Sequence, residues 1–241
     1  GGGGGEETDK ANNDGAPGVV RIIWGAGRAF PNTGTTDVAD GSSGQATYTA
    51  AGTFNWIAPS GVTSVCVVAV GAGGNESTAA GDGGGGLGWK NNISVSPGQS
   101  YQVKVGGRIG GPQGHGDESW FINNSTVCGE GGQMGGGLTG GAGGGYTGDG
   151  GGNGGNGGDA NGNRGGGGGA GGYSGNGGAG GAGTNSGASN GSDGSGGGGG
   201  GAGGASWEGG AGGGVGLLGE GSNGPGCPGT YQGTAGQAYA H

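Results

Sequence analysis

The stretch 165–183, GGGGGAGGYSGNGGAGGAG, decides what kind of molecule this chain forms. Its larger residues keep a phase of three, at Ala170, Tyr173, Asn176, Ala179 and Ala182, with glycine at most positions between. An earlier run, GGNGGNGGD, repeats the phase at Asn153, Asn156 and Asp159. Three residues is the period of the extended polyproline-II-type helix, which rises ~3.1 Å per residue. Glycine enters that conformation without proline and keeps every N–H. In such a segment the N–H and C=O groups point outward, so segments packed side by side bond to one another. Missing side chains let the backbones come close enough for Cα–H···O contacts as well.

Composition sharpens the choice. Glycine makes up 87 of 241 residues and 56 of the last 111. Collagen is excluded by seven prolines and the lack of a strict triplet register. Disorder is the competing reading, because each ordered glycine costs ~0.5–1 kcal/mol more than alanine in ordinary elements. Only a near-complete lattice of backbone hydrogen bonds, set against a sandwich or a neighbouring subunit, makes so much ordered glycine plausible. NRGG, GTNSG, SNGSDGSG and SNGPG read as the turns between segments.

Upstream of the tract the texture is that of short strands. Residues 18–24, with VVRIIW at their heart, form a β-branched run. A turn-rich link, RAFPNTGTTDVADGSSG, follows at 28–44. QATYT, GTFNWIAP, VTSVCVVAV, LGWKNNISV, SYQVKV and SWFINNSTVCG then alternate with turn signals. VTSVCVVAV, at 62–70, is apolar on both faces and should be central. In SYQVKV, Tyr101, Val103 and Val105 face one way and Gln102 and Lys104 the other, the pattern of a half-buried antiparallel strand. No segment carries a helical period. The expected fold is all-β, essentially without α-helix: a small antiparallel β-sandwich joined to a glycine-rich bundle of polyglycine-II helices. Its expected divisions are an end-of-module segment with a closing strand at 1–27, a linker at 28–44, the sandwich at 45–130 and the glycine bundle at 131–241.

Charge narrows the partners. A net charge of −9 with seven lysines and arginines and no RGG-type repeat argues against nucleic acid. No segment approaches ~18 continuous apolar residues, so no membrane insertion is expected. The chain opens on Gly1–Gly5, its only methionine is Met134, and no stretch reads as a secretory leader. It reads as a processed product or as one unit of something longer.

Little in the sequence carries chemistry. GxGxxG recurs by chance in glycine tracts, outside any βαβ context. A GxSxG match at Gly187–Gly191 lacks the strand–turn–helix of a nucleophile elbow. His115, Asp117 and Glu118 sit in a glycine-rich turn and read as a solvated loop. Glu6, Glu7, Asp9 and Asp14 offer oxygen ligands for calcium but no EF-hand or nonapeptide repeat. Cys66 and Cys128 lie in strand-like runs as buried thiols or a bridged pair; with Cys227 the count is odd, and no CxxC occurs. Five sequons, at Asn75, Asn92, Asn123, Asn124 and Asn190, matter only if a glycosylating host makes the protein. Trp24, Trp56, Trp89 and Trp120 read as core residues of the strands. No enzyme, no cofactor and no metal is expected. An ice-binding face would need a flat row of Thr or Ala at period three, and Tyr173 and Asn176 interrupt the available row.

The runs GTFNWIAPSGVTSVCVVAVGAGG and GLGWKNNISVSPGQSYQVKVGG, with VVRIIW, resemble the glycine-rich modules of bacteriophage tail-fibre and tail-tip adhesins and related bacterial surface proteins. The glycine-rich extracellular region of one family of receptor tyrosine kinases has a similar texture. The resemblance implies an extracellular or virion-surface location. In such modules a strand like VVRIIW closes the unit at its end, whereas here it stands at the start. The resemblance therefore implies head-to-tail self-assembly into a fibre or filament, by tandem repetition or by donation of the N-terminal strand to the next unit. Val19, Val20, Ile22, Ile23 and Trp24 are the expected assembly residues. The alternative is an adhesin that meets a cell-surface glycan or protein receptor through loops of the bundle. Tyr173, Asn185, Asn190 and Trp207 are the candidate contacts.

Overall fold

Branched apolar residues on both faces of an extended run demand cover on both sides, and that requirement organises the fold. The structure is a computed structural model describing residues 2–3, 15–31, 43–75, 79–109, 114–185, 187–204, 209–217 and 223–226. Its principal strands are β1 (Val19–Trp24), β2 (Gly44–Tyr48), β3 (Gly52–Ile57), β4 (Ser64–Val70), β5 (Leu87–Ser94), β6 (Ser100–Val105), β7 (Ser119–Phe121) and β8 (Val127–Gly129). Short pairings follow in β9 (Tyr146–Thr147), β10 (Gly150–Gly152), β11 (Ala160–Asn161), β12 (Gly183–Thr184) and β13 (Gly187–Ala188). Among the described residues there is no helix.

Two five-stranded antiparallel sheets run β10-β5-β4-β1-β2 and β3-β6-β7-β8-β9. They pack face to face through Val20, Ile22, Val65, Val67 and Ala69 of the first and Trp56, Val103, Val105, Phe121 and Val127 of the second. Each such side chain withdrawn from water contributes about 1.5–3 kcal/mol for Val, Ile or Phe. The alternate residues of β4, namely Cys66, Val68 and Val70, face the other way, into a second core with Ile23, Phe30, Leu87 and Tyr173. Val65–Val70 is thus buried on both faces, as its pattern requires, while Thr63 and Ser64 before it are exposed. Of the four tryptophans in strands only Trp56 is fully buried; Trp24, Trp89 and Trp120 are half-buried.

SWFINNSTVCG is not one strand. It breaks into β7 and β8 at Ile122, which has φ 69°, and the Asn123 carboxamide closes the turn by accepting from the N–H groups of Ser125 and Thr126.

The glycine segments follow a different rule. Along 166–171, Gly166 and Gly169 donate to the carbonyls of Gly181 and Gly178, Gly167 and Ala170 to Gly210 and Gly213, and Gly168 and Gly171 to Asp82 and Gly85, all at 2.7–2.9 Å. Successive amides serve three neighbours in rotation, where a β-strand alternates between two sides. Other segment pairs step by three in the same way: Gly155 and Gly158 to Gly169 and Gly166, Gly178 and Gly181 to Gly198 and Gly201, and Gly141 and Gly144 to Gly81 and Gly84. Close approach requires the missing side chains. A Cβ on Gly169 would overlap the carbonyl oxygen of Gly198. The lattice also takes in 71–74 and 81–86, from the strand-rich half of the sequence, through bonds such as Gly74 N to Gly83 O and Gly84 N to Gly155 O.

Candidate assembly site

The lattice has a proximal end against the first sheet and a distal end of turns. At the proximal end β10 extends that sheet beyond β5, and the Trp89 indole donates to the Tyr173 carbonyl at 2.9 Å. Tyr173 is 1 % exposed and stacks on Phe30 at a centroid distance of 5.7 Å. Its place in the period-three row points inward, as does that of Ala170, while Asn176 and Ala179 of the same row are exposed. Tyr173 is therefore a clamp between lattice and sheet, not a surface contact. Burial sorts one sequence row into an inner and an outer half, a distinction that spacing alone does not carry.

The distal end gathers the tips. Asn185 is exposed in the turn between β12 and β13, Leu138 is exposed in the turn whose carbonyl receives the Ala160 N–H, and the Asn163 carboxamide donates to Thr184 O. Asn190 is exposed beyond β13. Trp207 lies outside the described residues, as do Cys227 and the acidic cluster Glu6, Glu7, Asp9 and Asp14.

The outer segments are finished by polar side chains. Asn156 Oδ1 accepts from Gly143 N, Asp159 Oδ1 from Gly140 N and Asn176 Oδ1 from Asn153 N, each at 2.9 Å. The period-three row read as spacing is thus a row of acceptors for amides of the adjoining segment. SNGSDGSG is in large part another segment rather than a turn. Its Ser192 and Ser195 amides bond Ala179 and Asn176 carbonyls, and the chain bends only at 195–197. The overlooked signal was Ser189, Ser192 and Ser195 at the same spacing.

The residues expected from the sequence to mediate assembly lie inside their own chain. β1 is flanked by β2 and β4, with registers such as Ile22 opposite Ala46 and Val67. Val20, Ile22 and Ile23 are fully buried, Val19 and Trp24 partly so. Still nearer the N-terminus, Gly2 and Gly3 are buried within the lattice. Gly3 N donates to Gly168 O at 2.8 Å, Gly212 N to Gly3 O at 2.9 Å and Ala16 N to Gly2 O at 3.0 Å.

The reactive groups are dispersed. Asp117 and Glu118 face Lys104 at 2.9 and 3.5 Å, whereas His115 Nδ1 accepts from Met134 N. Burial alone would lower the Lys104 pKa, but Asp117 above all holds it above its ordinary value. Cys66 and Cys128 are both free and buried. Burial pushes the Cys66 thiol up, and burial with Glu118 and Glu130 pushes Cys128 up to about 12, so both stay protonated at neutral pH. Cys66 lines a cleft with Trp24, Arg28, Thr63 and Asn92, its thiol donating to Arg28 O. Among the described residues no three His, Cys, Asp or Glu side chains form a metal-binding group, and no helix is long and apolar enough to cross a membrane. No protein-family model, curated protein or solved structure matches the chain.

Proposed function

We propose that this chain is a structural subunit of an extracellular or virion-surface fibre, built from polyglycine-II helices set on a β-sandwich, and that it is not an enzyme. The helical reading is supported by the rotation of successive amides among three neighbours, which fits a threefold extended helix. The fibre reading rests on one observation: residues 2–3 complete a lattice whose bonded members, Gly168 and Gly212, lie far along the chain, while 19–24 fill the sheet between β2 and β4. A segment that reaches its seat across residues 4–14 can reach the same seat on the next unit. Because β1 already fills its own sheet, head-to-tail assembly means exchange of that strand between units rather than addition of a spare one. Exchange that does not close on itself yields a filament. The non-enzyme reading is supported by the protonated, buried thiols and by carboxylates tied to lysine rather than paired with a base.

Electron microscopy and sedimentation of the purified chain test the proposal. Filaments with an axial repeat are expected, and Ile22→Asp should abolish them. A monodisperse monomer at all concentrations would overturn it.

A second reading, an adhesin that contacts a cell-surface glycan or protein, is favoured by the collection of exposed tips at the distal end. Replacement of Asn185 and Leu138 by alanine should abolish adhesion on that reading and leave filaments intact.

A further inference from the structure

We propose that the lattice contains a discrete peptide-binding seat for an extended, glycine-only segment, and that in assembly its occupant is the N-terminal glycine run of a second copy of this chain. The inference deepens the assembly reading and rests on it for the identity of the occupant.

The seat is defined by what now fills it. Gly2 and Gly3 form a short strip bounded by Ala16, Gly73, Asp82, Gly168 and Gly212. Three backbone bonds fix the strip: Ala16 N to Gly2 O, Gly3 N to Gly168 O, and Gly212 N to Gly3 O. Steric selection is as strict as the bonding. A Cβ on Gly2 would overlap Gly212 O, a Cβ on Gly3 would overlap Asp82 O, and a Cβ on the wall residue Gly73 would overlap Gly2 O. The ligand must therefore carry two consecutive glycines in an extended conformation, and any L side chain at either is rejected by backbone atoms that cannot rotate away.

The polarity of the seat explains why it should not stay empty. Without the strip, the carbonyl of buried Gly168 and the N–H groups of exposed Ala16 and half-buried Gly212 lose these partners, and the loss is costly wherever water does not replace them. In the sequence, residues 4–14 lead from Gly3 to Gly15 and Ala16, the wall nearest along the chain. Sequence supplies a matching ligand in Gly1–Gly5, an uninterrupted glycine run. Within one chain the tethered run acts at an effective concentration on the order of millimolar. A second copy's run displaces it when chains fold at comparable concentration or when the resident run is blocked.

The test uses the full chain carrying Gly3→Val and a peptide of residues 1–10, GGGGGEETDK, labelled at its C-terminal end. Fluorescence anisotropy should show the peptide binding to the variant, and at least about tenfold more weakly to the wild type, whose tethered run competes. A peptide with valine at its second and fourth positions, which leaves no two consecutive glycines, should not bind. Near-UV circular dichroism establishes that the variant keeps its packed aromatic core; binding should also restore slow exchange at the Ala16 and Gly212 amides. Absence of binding to a folded variant, equal binding to wild type, or binding of the valine peptide would each overturn the seat. If Gly3→Val does not fold, two wild-type populations are refolded together at high concentration, one bearing a nitroxide at its N-terminal amine and the other isotopically labelled. Broadening of the labelled copy's Gly212 and Ala16 signals is expected, and its absence overturns the proposal. Peptide binding without filaments would retain the seat and remove the fibre; filaments without peptide binding would do the reverse.

Discussion

The sandwich and the glycine lattice solve the same problem by opposite means. In the sandwich, side chains such as Val67, Val103 and Phe121 supply the cohesion, and the strands stand far enough apart to hold them. In the lattice the side chains are gone, and cohesion passes to backbone bonds such as Gly169 N to Gly178 O and Gly168 N to Asp82 O. Removing atoms therefore damages the first region, and adding atoms damages the second. The two meet at Tyr173, among the described residues the single large side chain that the tract contributes to the fully buried core under the sheet.

The largest effect should come from the sandwich. Phe121 is fully buried between the sheets, and Phe121→Ala should cost about 3–5 kcal/mol in urea unfolding followed by tryptophan emission. A loss below about 1 kcal/mol would mean that the sheets are not held by this core. Next comes a reversal of sign within the tract. Gly169→Ala should destabilise by about 1–3 kcal/mol or more, because the added carbon meets Gly198 O. Gly214→Ala, with nothing within 4 Å of the added carbon, should stabilise by about 0.4–1 kcal/mol. Equal effects at the two glycines would break the contrast between lattice and open backbone. A smaller effect is expected at the outer edge. Asn156→Ala should cost about 0.5–1.5 kcal/mol and speed exchange at the Gly143 amide, whereas Asn156→Asp keeps the acceptor and should change little.

The last effect is a pH dependence confined to the sandwich and to alkaline conditions. The folded Cys128 thiol lies at about 12 against an ordinary 9.0, raised first by burial and then by Glu118 and Glu130. A raised folded value means that the native state holds the proton more tightly than the unfolded chain. That contribution is complete below pH 9.0 and is lost as pH rises toward about 12. Cys128 should accordingly resist thiol reagents at pH 8 until the protein unfolds, and Cys128→Ala should flatten the alkaline fall in stability.

Much of the sandwich was legible in the sequence because alternation reports which face of a strand is covered. Val65–Val70 and Ser100–Val105 declared their burial directly. The break at Ile122 was not legible, since a β-branched residue with φ 69° contradicts local preference and is imposed by the turn that Asn123 closes. In the tract, spacing exposed the period but not the partners. Nothing in GAGG at 71–74 or GDGGGG at 81–86 distinguishes a loop between strands from a segment bonded to residues some seventy positions away. Glycine has no side chain to encode a neighbour, so register passes to the scattered Asn, Asp and Ser residues and to Tyr173. Of the candidate site, the importance of 19–24 was readable from its apolar content, but the seat of Gly2 and Gly3 was not, because its walls are themselves mostly glycine.

Backbone amide exchange across 154–159 and 166–171, measured residue by residue, tests the lattice most directly. In the inner segment 166–171 every amide has a carbonyl partner and all six should be slow. In the outer segment the amides of Gly154, Gly155, Gly157 and Gly158 are bonded, while the N–H groups of Asn156 and Asp159 have no acceptor among the described residues. The account predicts two slow amides and one fast, repeated with period three. Uniformly fast exchange, or slow amides at every second residue as in a strand, would contradict it.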